Sequence, residues 1–159
     1  MEQNMRFMSL SKFAGAAAML CALGVAAVAL ADGADAIKAR RALMKQDGAA
    51  GKAMFEIMTG KVPFDAAQAA AATTEISKVG HTFASQFDEY FPDNSKTGDT
   101  KAAPALWDNK DEVKKLFASL ETDATAATAA ASKGADAFKA AAEKVGGDCK
   151  GCHEKYKLQ

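Results

Sequence analysis

Cys149-Lys150-Gly151-Cys152-His153, close to the end of the chain, decides how the rest is read. Two cysteines with two residues between them, followed at once by histidine, form the attachment signature of a c-type haem. The chemistry accounts for the spacing. Each thiol adds to one vinyl group, so two cysteines at fixed separation pin one edge of the porphyrin. The next residue then brings an imidazole nitrogen under the iron. On a helix Cys149, Cys152 and His153 stand at i, i+3 and i+4 and share one side of the cylinder. At ~1.5 Å per residue, Cys149 and His153 lie roughly 6 Å apart along the axis, a reach suited to a ring edge and its centre.

The signature is strongest in an exported protein, and the other end of the sequence predicts export. Arg6 and Lys12 give a positive front, Phe13 to Leu30 run without a charge, and Ala29-Leu30-Ala31 offers small residues where a signal peptidase reads. Residues 1–31 are therefore expected to be a secretory signal peptide, cleaved before Asp32, with the protein delivered to the periplasm. A retained anchor is the competing reading. Its apolar run sits at the lower edge of the ~17–25 residues a spanning helix needs, and alanine and glycine dilute it. Once the segment leaves, no membrane span is expected. Cys21 leaves with it, so the mature domain, 32–159, keeps only Cys149 and Cys152. In an oxidising compartment such a pair could also close a disulfide. A thioredoxin-like pair would want a βαβ setting, which no strand pattern supplies here. A zinc site would need further ligands near the tail.

Composition narrows the class. With 20 basic and 20 acidic residues the formal charge is zero, which leaves no electrostatic footprint for nucleic acid. Hydrophobic residues make up 49% of the chain, much of it alanine, the best helix former. Four periodic stretches follow. The first, 35–59, offers Ile37, Met44, Gly48, Gly51, Phe55 and Met58 as inward positions, its glycines fitting where a bulky group nears the backbone. The second starts at Asp65 with Gln68 three residues on, a capping-box pattern, and carries Ile76, Val79, Phe83, Phe87 and Tyr90 at helical spacing. Residues 92–104 read as a polar surface connection, with Trp107 a packing anchor just beyond it. The third, 109–131, holds Val113, Leu116, Phe117, Leu120, Ala124 and Ala127 in phase. In the fourth, 135–156, the stripe Phe138, Ala142, Val145 runs on into Cys149, Cys152 and Tyr156, so the attachment site faces the core. Short links and one longer one then predict an all-α, antiparallel four-helix bundle around covalently bound haem. Alanine-rich stripes bury little apolar area, so a porphyrin would supply much of the missing core.

A haem signature at the C-terminal end of a four-helix chain resembles the cytochrome c′ family, including its low-spin c-556 relatives. The resemblance is carried by Val145-Gly146-Gly147-Asp148 leading into the signature, by Tyr156 and by Arg40 with Met44. Pro63-Phe64-Asp65-Ala66-Ala67 and Ala105-Leu106-Trp107 also match, so it spans the whole mature chain. It implies His153 as proximal ligand and a first-helix residue, here Met44, over the opposite face of the iron. In high-spin members that residue is apolar and leaves the iron five-coordinate; in the c-556 class a methionine sulfur binds. One departure is visible. The family often has arginine four residues after the histidine, where this chain has Lys157, a cation without the planar fork of donors.

Two readings of Met44 stand: an iron ligand, or a core methionine filling a gap. Arg40, one turn earlier, is either a cofactor-binding residue that offsets a haem propionate or a solvated helix arginine beside Arg41. His81 lies off the core stripe of its helix and is not expected to reach the iron. His/Met ligation raises the reduction potential and closes the iron's open position. That suits a one-electron carrier, not an enzyme, exchanging electrons with redox partner proteins. The alternative is a five-coordinate protein binding nitric oxide or carbon monoxide. Members of the family commonly dimerise through their first two helices, which the resemblance extends to this chain as a homodimer.

Overall fold

The structure of the protein, a computed structural model, describes residues 32–159; the segment expected to be a signal peptide lies outside the described residues. Four long helices dominate: α1 (Gly33–Met58), α2 (Ala66–Ser85), α5 (Lys110–Ala131) and α6 (Ala135–Tyr156). Two single-turn helices, α3 (Phe87–Tyr90) and α4 (Ala105–Asp108), and a 3₁₀ turn at Asp93–Ser95 lie between α2 and α5. The all-α four-helix architecture expected from the sequence is thus present, and none of the described helices is long and apolar enough to cross a membrane.

Local chemistry sets the helix ends. Asp32 caps α1 by accepting from Ala34 N, and Asp65 caps α2 by accepting from Gln68 N at 2.7 Å. Gly134, at φ 105°, makes the sharp turn between α5 and α6 that a residue with a β-carbon would resist.

The bundle is packed unevenly. Its most extensive contact is α2 against α5, and the helices come close because their facing residues are small. The Thr73 and Thr128 hydroxyls meet at 2.8 Å, as do those of Ser77 and Thr125. A β-carbon on Gly80 would fall 2.8 Å from the backbone nitrogen of Glu121. By contrast α1 and α6 touch far less. The core is also divided by chemistry. One end is alanine-rich, with Ala69, Ala72, Ala124, Ala127, Ala131 and Ala142 around Ile76, Leu120, Phe138 and Val145. The other is aromatic: Phe83, Phe87, Phe91, Phe117, Trp107 and Tyr156. Phe83 and Phe117 have centroids 4.8 Å apart, as do Phe87 and Phe91. Trp107 is the packing anchor expected of it, buried with its indole N–H donating to Phe91 O at 3.0 Å.

Two expectations need correction. The buried face of α1 runs through Ala36, Ile37, Arg40, Asp47, Met54 and Ile57, whereas Phe55 is 55% exposed and Gly51 has open space around it. The apolar phase drawn through Gly51 and Phe55 fails because the true stripe includes two charged residues. The connection 92–104 is not merely a surface loop either. Ser95 is fully buried, and Arg40 reaches it from α1. The Arg40 guanidinium donates to Ser95 Oγ at 2.7 Å, Ser95 O at 2.8 Å, Thr100 Oγ1 at 2.7 Å and Tyr90 O at 3.2 Å. It also lies 5.4 Å from the ring centroids of both Phe91 and Trp107. Further on, the same connection pairs with the tail: Ala103 N donates to Tyr156 O at 2.9 Å and Leu158 N to Lys101 O at 2.8 Å.

Two outcomes follow from this packing. Gly80→Ala, which in an open helix would stabilise, should lower stability by about 1–3 kcal/mol because the α2–α5 backbones must part; thermal unfolding measures it. Arg40→Ala strands several buried acceptors at ~1–3 kcal/mol each. Urea titration should show a large loss, of which Arg40→Lys recovers only a part.

Candidate functional site

The sparse contact between α1 and α6 leaves a cavity of about 340 Å³ at the aromatic end of the bundle. That volume falls in the ~300–1,000 Å³ range of small-molecule and cofactor sites. Its walls come from three places. Arg40, Met44, Asp47 and Gly48 line it from α1, Cys152, His153 and Tyr156 from α6, and Thr100, Lys101 and Ala102 from the connection. Phe91, Leu106 and Phe117 supply the apolar back. A small adjoining void of about 20 Å³ brings in Cys149 and Asp148, with Met44, Asp47 and His153 shared between the two. More open clefts of about 570 and 400 Å³ occur elsewhere on the molecule, but neither cysteine lines them.

The helical register of α6 places the signature as its spacing requires. Cys149 and Cys152 are both free thiols, half-buried and turned toward the cavity region. Burial, with Asp47 and Asp148 nearby, pushes the Cys149 thiol up to about 12, and burial also raises Cys152. Both are therefore neutral thiols at ordinary pH, the form that keeps its proton until a bond is made. Although His153 retains solvent exposure, packing around its ring and the charge of Lys157 disfavour the imidazolium. A neutral imidazole is the form with a lone pair for a metal. Among the described residues no group of three or more His, Cys, Asp or Glu is placed to hold a metal ion by itself. The donor set of this cavity is instead one imidazole and one thioether, from helices on either side of it.

Met44 is half-buried and lines the same cavity as His153. Arg40 also lines it, but is no solvated helix arginine: it is 4% exposed and its donors are engaged by the connection. Burial lowers it to about 10, which leaves it cationic at neutral pH. Gly48 borders the cavity, as a glycine near a bulky group should, while Gly51 does not. Lys157 stands at the rim with Arg41 and Lys101. His81 is elsewhere, on the outer face of α2, with its Nδ1 3.0 Å from Glu121 Oε1.

Two features of the site escaped the sequence reading. The connection 92–104 forms one wall, signalled only by a polar run that looked like solvent. Asp47, a single turn beyond Met44, is buried with its Oδ1 lacking any hydrogen-bond partner, and burial pushes its carboxyl up to about 6. No apolar pattern could point to it. Yet a largely apolar cavity, with two thiols and an imidazole on one wall and a thioether on the other, fits a haem c group well.

Comparison with known proteins agrees. The family model described as Cytochrome C′ matches residues 35–157. Cytochrome c-556 of Agrobacterium fabrum (strain C58) is 40% identical over 123 residues, covering 77% of this chain and 81% of that protein. Among solved structures, cytochrome c′ from Rhodopseudomonas palustris superposes with a TM-score of 0.71 at 34% identity, covering 78% of this chain and 96% of that one. Another, a cytochrome c′ described by its ligand-controlled dimer dissociation, gives a TM-score of 0.70 at 26% identity, covering 80% and 98%. With the family model matching residues 35–157 and the four-helix bundle superposing on these proteins, the chain belongs to the cytochrome c′ family and is a haem c cytochrome.

Proposed function

We propose that the protein is a periplasmic one-electron carrier, exported by residues 1–31, with thioether bonds at Cys149 and Cys152 and iron held between His153 and Met44. One observation carries this reading: Met44 from α1 and His153 from α6 line a single cavity between helices that otherwise barely meet. When bound, haem c supplies a ferric/ferrous couple that exchanges one electron without substrate chemistry. The chain's own residues do the rest. The half-buried Cys149 and Cys152 would hold the group to α6 through thioether bonds, and His153, in the same i, i+3, i+4 register, would offer its imidazole to the iron. Phe91, Leu106 and Phe117 exclude water from the back wall. Arg40 contributes charge more than donors toward a propionate, since Ser95, Thr100 and Tyr90 O already take its N–H groups. A soft thioether from Met44 would favour the ferrous state and leave no open position for a substrate, which supports a carrier and not an enzyme.

The second reading keeps Met44 off the iron and makes the protein a five-coordinate binder of nitric oxide or carbon monoxide. The similarity to a cytochrome c′ whose dimer responds to ligand favours it. A homodimer is proposed on either reading, and the exposed Phe55 near the end of α1 suits a contact there.

Absorption spectroscopy separates the two. A low-spin spectrum with a methionine–iron charge-transfer band is expected. Met44→Ala should convert it to a high-spin form that takes up carbon monoxide on reduction. A wild-type protein that is already high-spin would remove the carrier assignment. Mass spectrometry of the mature protein should find one haem added on the tryptic fragment containing Cys149 and Cys152. It should also find the N-terminus at Asp32.

A further inference from the structure

Asp47, on the α1 wall of the cavity, is a buried charged group whose presence the fold does not explain. It is 8% exposed, its Oδ1 has no hydrogen-bond partner, and it neither caps a helix nor forms an ion pair among the described residues. A buried carboxylate without a partner is costly, and such a group persists where something else compensates for it. The neighbours do not. From α6, Asp148 and the Cys149 thiol face it, and Asp148 is itself held up by burial and by Asp123. On its own helix Arg40 is committed to Ser95, Thr100 and Tyr90 O. The remaining cations of the cavity, Arg41, Lys101 and Lys157, are exposed rim residues, and Arg41 is paired with Asp99.

The group that would compensate Asp47 is the cofactor. A ferric haem centre carries one net positive charge and a ferrous one carries none, apart from the propionates. Asp47 lies on α1 one turn from Met44, and Cys149 feels its charge from the opposite wall. It thus lines both the main cavity and the small void that Cys149 borders. We propose that Asp47 is the protein's internal counter-charge to oxidised haem, a positioning residue that lowers the reduction potential set by the axial ligands. On reduction one electron enters at iron from the donor, the centre loses its net charge, and the attraction of the carboxylate is lost; no bond is made or broken and no proton need move. Asp148, whose Oδ2 is also buried without a hydrogen-bond partner, lines only the small adjoining void and not the main cavity, and burial and the charge of Asp123 both disfavour its carboxylate. The inference rests on haem seated at the signature and is independent of whether Met44 binds iron.

The test is a spectroelectrochemical titration of the holoprotein with soluble quinone mediators, comparing wild type with Asp47→Asn, Asp47→Ala and Asp47→Glu. Both neutral variants should be reduced at higher potential, with the ferrous-to-ferric ratio at a fixed applied potential raised about tenfold or more, as for a unit charge at close range. Asp47→Glu should stay near wild type. The difference should survive roughly 1 M salt, which screens exposed charges but reaches buried ones far less. Absorption spectra should be unchanged in all four proteins, showing the same axial ligands. Neutral variants that keep the wild-type potential with an unchanged spectrum, or shift it downward, overturn the proposal. A high-spin spectrum in the wild type bears only on the carrier reading, so the two failures are told apart.

Discussion

The geometry of the cavity depends on one clamp. The segment between α2 and α5 is fastened to α1 by the buried Arg40 guanidinium and to the end of α6 by backbone pairing of Lys101 and Ala103 with Leu158 and Tyr156. Those are the two helices that must stay apart for a porphyrin to lie between them. A planar guanidinium suits the task, since its fork of donors can hold backbone and hydroxyl acceptors at fixed angles while its faces rest on Phe91 and Trp107. A lysine would bring equal charge without the angles. The gap is therefore held open by polar chemistry at one end of the bundle, not by the apolar packing that closes the other.

That division also explains which parts of the fold were legible in the sequence. The stripes of α2, α5 and α6 consist of apolar residues in helical phase, and Ile76, Val79, Phe83, Val113, Phe117, Phe138 and Val145 are all buried as their spacing predicts. In α1 the inward face carries Arg40 and Asp47, so periodicity of hydrophobic residues drifted onto Gly51 and Phe55 instead. Ser95 was invisible for the same reason. A buried serine is affordable only because an arginine from a distant part of the chain satisfies it, and pattern within a window cannot register such a partner.

The site divides along the same line. Attachment chemistry is local: two thiols and an imidazole must occupy neighbouring positions on one helix, so five residues suffice to announce it. What the iron meets on its other face is a property of tertiary structure. Met44 could be pointed to only through family resemblance, and Asp47 had no signal, because a carboxylate within Lys45-Gln46-Asp47 looks like any solvated helix face until α6 packs across it.

The uneven packing has a consequence for chemistry as well. Small residues let α2 and α5 meet at backbone distance, and hydroxyl pairs between Thr73 and Thr128 and between Ser77 and Thr125 fix their register. This closely packed pair, with Phe83 of α2 and Phe117 of α5 both in ring contact with Phe91, forms the wall behind the cavity. A helix pair packed this closely would leave a cofactor little room to change geometry when its charge changes. Electron exchange is fastest when nothing has to move, and preorganised surroundings that already suit both oxidation states are the means a protein has of meeting that condition. The alanine-rich, closely packed half of the bundle is then not a poor core compensated by the cofactor alone. It is the closely packed frame against which α1, with Met44 and Asp47, is set.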